Sequence, residues 1–152
     1  MNPEPTASVF RRKSDGTLLI LRFGISKKSG FVVGMGRFIE VPAHCIEIEG
    51  GREIIKALDS FSRVEGGARC ELQDMTPERR RKFHRAHDEL MLWKDEVEDV
   101  LHVTPMVPKG SGARGNPRRK KILRGPYSAS EVIDAVLAVM GPLDPPKKAK
   151  KK

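Results

Sequence analysis

The stretch Val9-Phe10-Arg11-Arg12-Lys13-Ser14-Asp15-Gly16-Thr17-Leu18-Leu19-Ile20-Leu21-Arg22-Phe23 decides the fold. Two runs rich in strand formers flank Ser14-Asp15-Gly16, and an Asp-Gly step between apolar runs is the pair that a tight hairpin turn favours. Working outward, Ser26-Lys27-Lys28-Ser29-Gly30 reads as a second turn and Phe31 to Met35 as a third strand. Arg37 to Val41 reads as a fourth, with Gly34 and Gly36 marking a bulge or a close backbone approach. Pro42 ends or bends that strand, and the alternation in Cys45-Ile46-Glu47-Ile48-Glu49 predicts a short fifth one. The first fifty residues thus read as an antiparallel β-meander.

Beyond them the apolar period lengthens. Gly50-Gly51 interrupts the strand pattern, and Ile54, Ile55, Leu58 and Phe61 at three-four spacing predict a helix over Arg52 to Val64, closed by Gly66-Gly67. Thr76-Pro77-Glu78 opens a second helix, with Thr as cap, Pro at the first helical position and Glu in the first turn. The stripe Phe83, Ala86, Leu90, Trp93, Val97, Leu101 carries that helix to about Val100 and makes it the longest element. Thr104 to Pro117, rich in Pro and Gly, reads as loop, and Arg118 to Arg124 as a strand with a basic edge. Ser128-Ala129-Ser130-Glu131 matches a capping box, the helix it opens carries Val132, Ile133, Val136, Leu137 and Met140, and Gly141-Pro142 stops it. The fold class is α/β of the α+β kind: an N-terminal antiparallel β-meander forms a sheet packed by about three helices. One domain is expected over residues 1–143, followed by a disordered Lys-rich tail over 144–152.

Composition narrows the function. No run reaches the ~18 to 20 apolar residues of a membrane span, and Met1 to Ser8 has no apolar stretch of the secretory type. A cytoplasmic protein without a membrane partner is expected. Cys45 and Cys70 are far apart and form no CxxC pair, so free thiols are expected. The net charge of +9 is unevenly placed. Residues 1–75 carry 11 basic and 10 acidic side chains, residues 76–100 carry 6 and 7, residues 101–146 carry 7 and 3, and the tail adds five lysines. The body is near neutral, so the excess belongs to one segment and one tail rather than to a basic face.

The residues that carry chemistry elsewhere are sparse here. His84 and His87 share a face if the middle helix forms, but a metal needs further ligands, and His44 and His102 are not placed by spacing. Gly110 to Asn116 is glycine-rich without the Gly-Lys-Ser/Thr of a phosphate-binding loop. His44 adjoins Cys45, yet neighbours in a strand point to opposite faces. No catalytic residue, metal or cofactor is assigned, and a non-enzymatic role is expected. Two charged groups remain as binding candidates. Asp95, Glu96, Glu98 and Asp99 form an acidic cluster, either a solvated face or a docking patch for a basic partner. Arg114, Arg118, Arg119, Lys120, Lys121 and Arg124 form a basic one, suited to nucleic-acid phosphates or to an acidic partner.

There is an internal echo between Glu53-Ile54-Ile55-Lys56-Ala57-Leu58 and Glu131-Val132-Ile133-Asp134-Ala135-Val136. It reflects either the general likeness of amphipathic helices or two equivalent strand-to-helix units on one sheet. With Arg37-Phe38-Ile39-Glu40-Val41 through Glu53 to Ser62, the segment around Trp93, and Pro126 to Met140, the chain resembles the immunity proteins of contact-dependent growth-inhibition systems. The resemblance implies a protein that binds its cognate toxin domain, usually a nuclease, as a heterodimer and blocks it, with the acidic cluster as the toxin-facing candidate. The alternative is a small basic nucleic-acid-binding accessory protein.

Overall fold

A computed structural model describes residues 4–64, 70–109, 112–115 and 119–143, as backbone only at 63–64, 108–109 and 112–115. The expected tail, Arg118 and Gly66-Gly67 lie outside the described residues. The chain is an α+β protein built on one sheet, with strand order β3-β2-β1-β5-β6-β7 and with β4 and β8 attached to β2 and β6.

The opening hairpin forms as the sequence dictates. Strand β1 (Thr6–Arg12) pairs antiparallel with β2 (Leu18–Ser26) across the Ser14-Asp15-Gly16 turn. There Asp15 Oδ1 accepts from the Thr17 amide at 3.0 Å. The two strands expected over 31–41 are a single β3 (Val32–Val41). Its pairing with β2 slips between Ile20↔Ile39 and Arg22↔Met35, so extra residues of β3 are absorbed around Gly36. Gly36 takes φ +69°, a left-handed conformation that glycine adopts without the cost of a Cβ.

The fifth strand expected at 45–49 does not form. Ala43–Cys45 is a 3-10 turn and Ile46–Gly50 a π-helical turn that run straight into α1 (Gly51–Asp59). The alternation misleads because only Ile46 is buried, whereas Ile48 is 70% exposed. Gly50-Gly51 is a contact surface rather than a breaker. A Cβ on Gly51 would run into the Ala129 carbonyl, and one on Gly50 would lie 2.8 Å from Ile133 Cδ1. The missing side chains let the start of α1 sit directly on α4. Helix α1 ends at Asp59, short of the expected Val64, and Arg63–Val64 forms a two-residue β4 parallel to the end of β2.

The middle of the chain departs most from expectation. A short α2 (Glu71–Asp74) precedes α3 (Pro77–Ala86), whose start is as read: Thr76 Oγ1 accepts from the Arg79 amide at 3.2 Å, with Pro77 behind it. The long helix to Val100 does not exist. It stops at Ala86, and His87–Asp95 is β5, paired with β1 over seven residues. Leu90 and Leu92 are fully buried, and their two-residue spacing, not the three-four stripe, meets the core. The segment expected as loop is β6 (Val100–Lys109) followed by β7 (Gly112–Gly115). Pro105 is tolerated because the outer partner of β6 changes there. Strand β8 (Lys121–Arg124) covers Val100 to Val103, β7 covers Met106 to Lys109, and Pro105 falls in the gap where no outward donor is needed.

Helix α4 (Ala129–Met140) is as read, with the Ser128–Glu131 capping box closed in both directions and Gly141 at its C-terminus. Helices α1 and α4 cover one face of the sheet. Ile54, Ala57, Leu58, Val132 and Val136 pack there on Ala7, Val9, Leu18, Ile20, Leu90, Leu92, Leu101 and Val103. Helices α2 and α3 lie on the other face over a smaller cluster of Phe10, Leu19, Leu21 and Cys70, with Phe38, Leu72 and Phe83. Arg11, 4% exposed, ties the layers together. Its guanidinium donates to Asp88 Oδ2 at 2.8 Å and to the Gly141 carbonyl at 2.8 Å, so a cation sits where the dipole and the open carbonyls of α4 favour one.

Candidate binding surface

Residues opposite one another in an antiparallel ladder share a face. The pairs Thr6↔Trp93, Trp93↔His102 and His102↔Ile122 therefore set one row across β1, β5, β6 and β8. That row lies on the face carrying α2 and α3, but the apolar cluster beneath those helices does not reach it. Trp93 and His102 stack face to face, with centroids 3.7 Å apart and planes 5° from parallel. Ile122 beside them is 46% exposed.

The acidic candidates continue this surface. Asp95 closes β5, and Glu96, Glu98 and Asp99 are exposed on the turn into β6, not on the helix expected from the sequence. Val97 stands among them 94% exposed. The turn is held from within: Asp95 Oδ1 accepts from the amides of Val97 at 3.0 Å and Glu98 at 3.1 Å. The Asp99 carbonyl accepts from the Gly125 amide at 2.8 Å. The His102 imidazole is pushed below its usual pKa by burial and by Lys120, while Asp95 and Glu98 oppose the shift. The acidic tip and the aromatic pair thus feel one another electrostatically.

The basic candidates do not gather into one face. Lys120, Lys121 and Arg124 are exposed, but alternation along β8 sends Lys121 to the α4 side with Leu123, and Arg124 to the Trp93 side with Ile122. Arg119 is exposed too, and its Nη2 donates to the Val139 carbonyl at 3.4 Å. Arg114 is described only as backbone of β7, and Arg118 lies outside the described residues.

The remaining chemistry-bearing residues are placed as follows. His84 lies in the last turn of α3 and His87 begins β5, both buried, and His44 is exposed on the 3-10 turn. No group of three or more metal-ligating side chains occurs among the described residues. Cys45 and Cys70 are free thiols. Sequence reasoning missed Glu89, whose Oε1 lies 3.1 Å from His84 Nδ1 between α3 and β5. Burial raises its carboxyl from 4.5 to about 7. Reading 83–101 as one helix hid that contact, as it hid the Trp93–His102 pair. The two-residue alternation of Leu90 and Leu92 was the signal that exposes both.

The class defined by this arrangement is an α+β protein with helices on both faces of an antiparallel sheet and one end of a sheet face left open beside an acidic hairpin tip. Its fold is similar to that of a protein of unknown function from Neisseria meningitidis, with a TM-score of 0.65 at 12% identity, over 91% of this chain and 94% of that one. At that identity the likeness shows the fold alone. No protein-family model matches the chain, and no curated protein does. Among the described residues no helix is long and apolar enough to cross a membrane.

Proposed function

We propose that the chain is an immunity protein of the contact-dependent growth-inhibition type, which binds a cognate toxin domain and occludes it without catalysis. The observation that carries the reading is the β5–β6 hairpin tip. Val97 is 94% exposed there, within a turn already fixed by Asp95. The turn presents Val97 among carboxylates in a conformation already fixed, which lowers the entropy lost when a partner covers it. Carboxylates suit a partner with a basic surface, such as a nuclease cleft, and speed the encounter. The Trp93–His102 pair and Ile122 extend the contact across the open end of the sheet, toward the area a stable complex requires.

The test is co-expression with the toxin domain encoded by the neighbouring gene. A stoichiometric complex and protected cells are expected, and Glu96→Lys/Glu98→Lys is expected to weaken binding at least about tenfold. A toxin that neither co-purifies nor is neutralised would end the reading. The alternative, a nucleic-acid-binding accessory role, rests on Lys120, Lys121 and Arg124. It predicts affinity for duplex DNA or RNA that falls steeply with salt.

A further inference from the structure

The near-neutral charge of residues 76–100 is the sum of two opposed groups that the fold sets at opposite ends of one sheet face. Helix α3 carries five basic residues and one acidic over Pro77–Ala86, and the hairpin tip carries four acidic and no basic ones over residues 95–99. Positions 78, 81, 82 and 85 share the outer side of α3, where Arg81, Lys82 and Arg85 are exposed. Lys82 reaches Glu78 at 3.8 Å, while Arg81 and Arg85 have no ion-pair partner among the described residues. Exposed Lys13 joins them, its amide donating to the Ala86 carbonyl at 2.9 Å. The carboxylates nearby lie elsewhere: Asp15 and Glu40 engage Arg12, and Glu71 and Asp74 stand with Arg37 and Arg79 beside the start of α3. At the other end Glu96, Glu98 and Asp99 are exposed and have no ion-pair partner among the described residues. On this face Lys120 and Arg124 flank the tip, two cations to its four carboxylates.

Between the two poles the sheet is uncovered. Its floor is the row through Trp93, His102 and Ile122 and the next row inward, Met91 and Thr104. From Glu89, which faces His84 of α3, to Asp95 the face extends six residues along β5, about 20 Å. Helix α3, with ten residues, is about 15 Å long. One end of the face is therefore a cationic ridge, and the other is an open floor with an acidic rim, long enough to receive such a ridge. A face of this kind is complementary to itself after a half-turn, which is the requirement of an isologous two-fold interface. Nucleic acid would answer only α3, and a basic protein only the tip. A second copy answers both ends at once and covers Trp93, Val97 and Ile122 as well.

We infer that two copies of this chain pair through this face, about a two-fold axis that crosses the strands near Met91. Each copy's α3 lies on the other's open floor, with Arg81 and Arg85 against the other's Glu96 and Glu98. The inference concerns the chain alone and stands whether or not the toxin reading holds; where both hold, the toxin takes the tip in place of the second copy.

The test is sedimentation velocity on the full chain with no toxin present. A dimer is expected at about 50 mM salt, weakening as salt rises because exposed charge pairs are screened. Glu96→Lys/Glu98→Lys and Arg81→Glu/Arg85→Glu should each weaken the dimer at least about tenfold. Mixed in equal amounts, these two variants should pair with each other, because each reversed group then meets its opposite. Lys28→Glu/Lys121→Glu, a matched reversal at exposed positions off this face, should leave the dimer unchanged. All the changed side chains are exposed, so native circular dichroism spectra are expected, and the tip variant and the salt series test the inference without touching α3. A parent chain that stays monomeric at about 100 µM in low salt would overturn the inference. So would a tip or helix variant that dimerises as the parent does, or two natively folded variants that fail to pair when mixed.

Discussion

Glu89→Gln tests whether the β5 strand buries an ionisable group in a place that resists its charge. Glu89 Oε1 faces His84 Nδ1 at 3.1 Å, with side chains 10% and 4% exposed, so solvent screens neither. The small hollow beside it also gathers Lys13, His87, Asp88 and Arg119. Burial raises the Glu89 carboxyl from 4.5 to about 7. Between those values the folded chain holds a proton that the unfolded chain has released. The stability this group contributes is therefore fully present below pH 4.5 and is lost as pH rises through about 7. The displacement corresponds to about 3 kcal/mol at most. Glutamine keeps the shape and never ionises. Urea unfolding of both chains at pH 5, 6.5 and 8 should show similar stability at pH 5 and a growing advantage for Glu89→Gln toward pH 8, with unchanged slopes. A difference between the two chains that stays constant from pH 5 to 8 would refute the reasoning, whatever its size.

Three further predictions concern the scaffold. Arg11→Met removes the cation shared by the partly exposed Asp88 and the last carbonyls of α4, and should cost about 1–3 kcal/mol in urea unfolding because the helix-end carbonyls lose their donor. Gly51→Ala, favourable by about 1 kcal/mol on helix propensity alone, should instead lower the melting temperature, because the new Cβ meets the Ala129 carbonyl and pushes α1 off α4. Ser128→Ala opens the capping box of α4 and should cost about 1 kcal/mol in the same urea assay, with a native circular dichroism spectrum.

The parts of the fold legible in the sequence are those where local chemistry decides alone. The Asp15-Gly16 turn, the Ser26 to Gly30 turn, the Thr76-Pro77 helix start and the Ser128–Glu131 box each satisfy their own backbone groups within a few residues, and each forms as read. The Gly50-Gly51 pair failed for the opposite reason. Its role is set by Ala129 and Ile133, about eighty residues away, and nothing local distinguishes a break in a strand from a helix contact. The acidic candidates were legible as a cluster but not as a hairpin tip, because their placement depended on whether 87–95 was helix or strand.

That choice was made by β1, not by residues 87–95 themselves. Leu90 and Leu92 satisfy a strand period, while Phe83, Ala86, Leu90 and Trp93 satisfy a helical one, so local pattern leaves both open. Strand β1 is buried along nearly its whole length, including Thr6, Ser8 and Arg11, and only one of its edges is taken by β2. A buried edge cannot leave its amides and carbonyls unpaired, at a cost of about 1–3 kcal/mol each, and the seven pairs made by β5 remove that cost over Thr6 to Arg12. The same pairing sets Trp93 beside Thr6 and ends β5 at Asp95, so satisfying the buried edge of β1 also fixes where the acidic turn projects from the sheet. The open end of the sheet and its hairpin tip are thus consequences of a hydrogen-bonding requirement located eighty residues earlier in the chain.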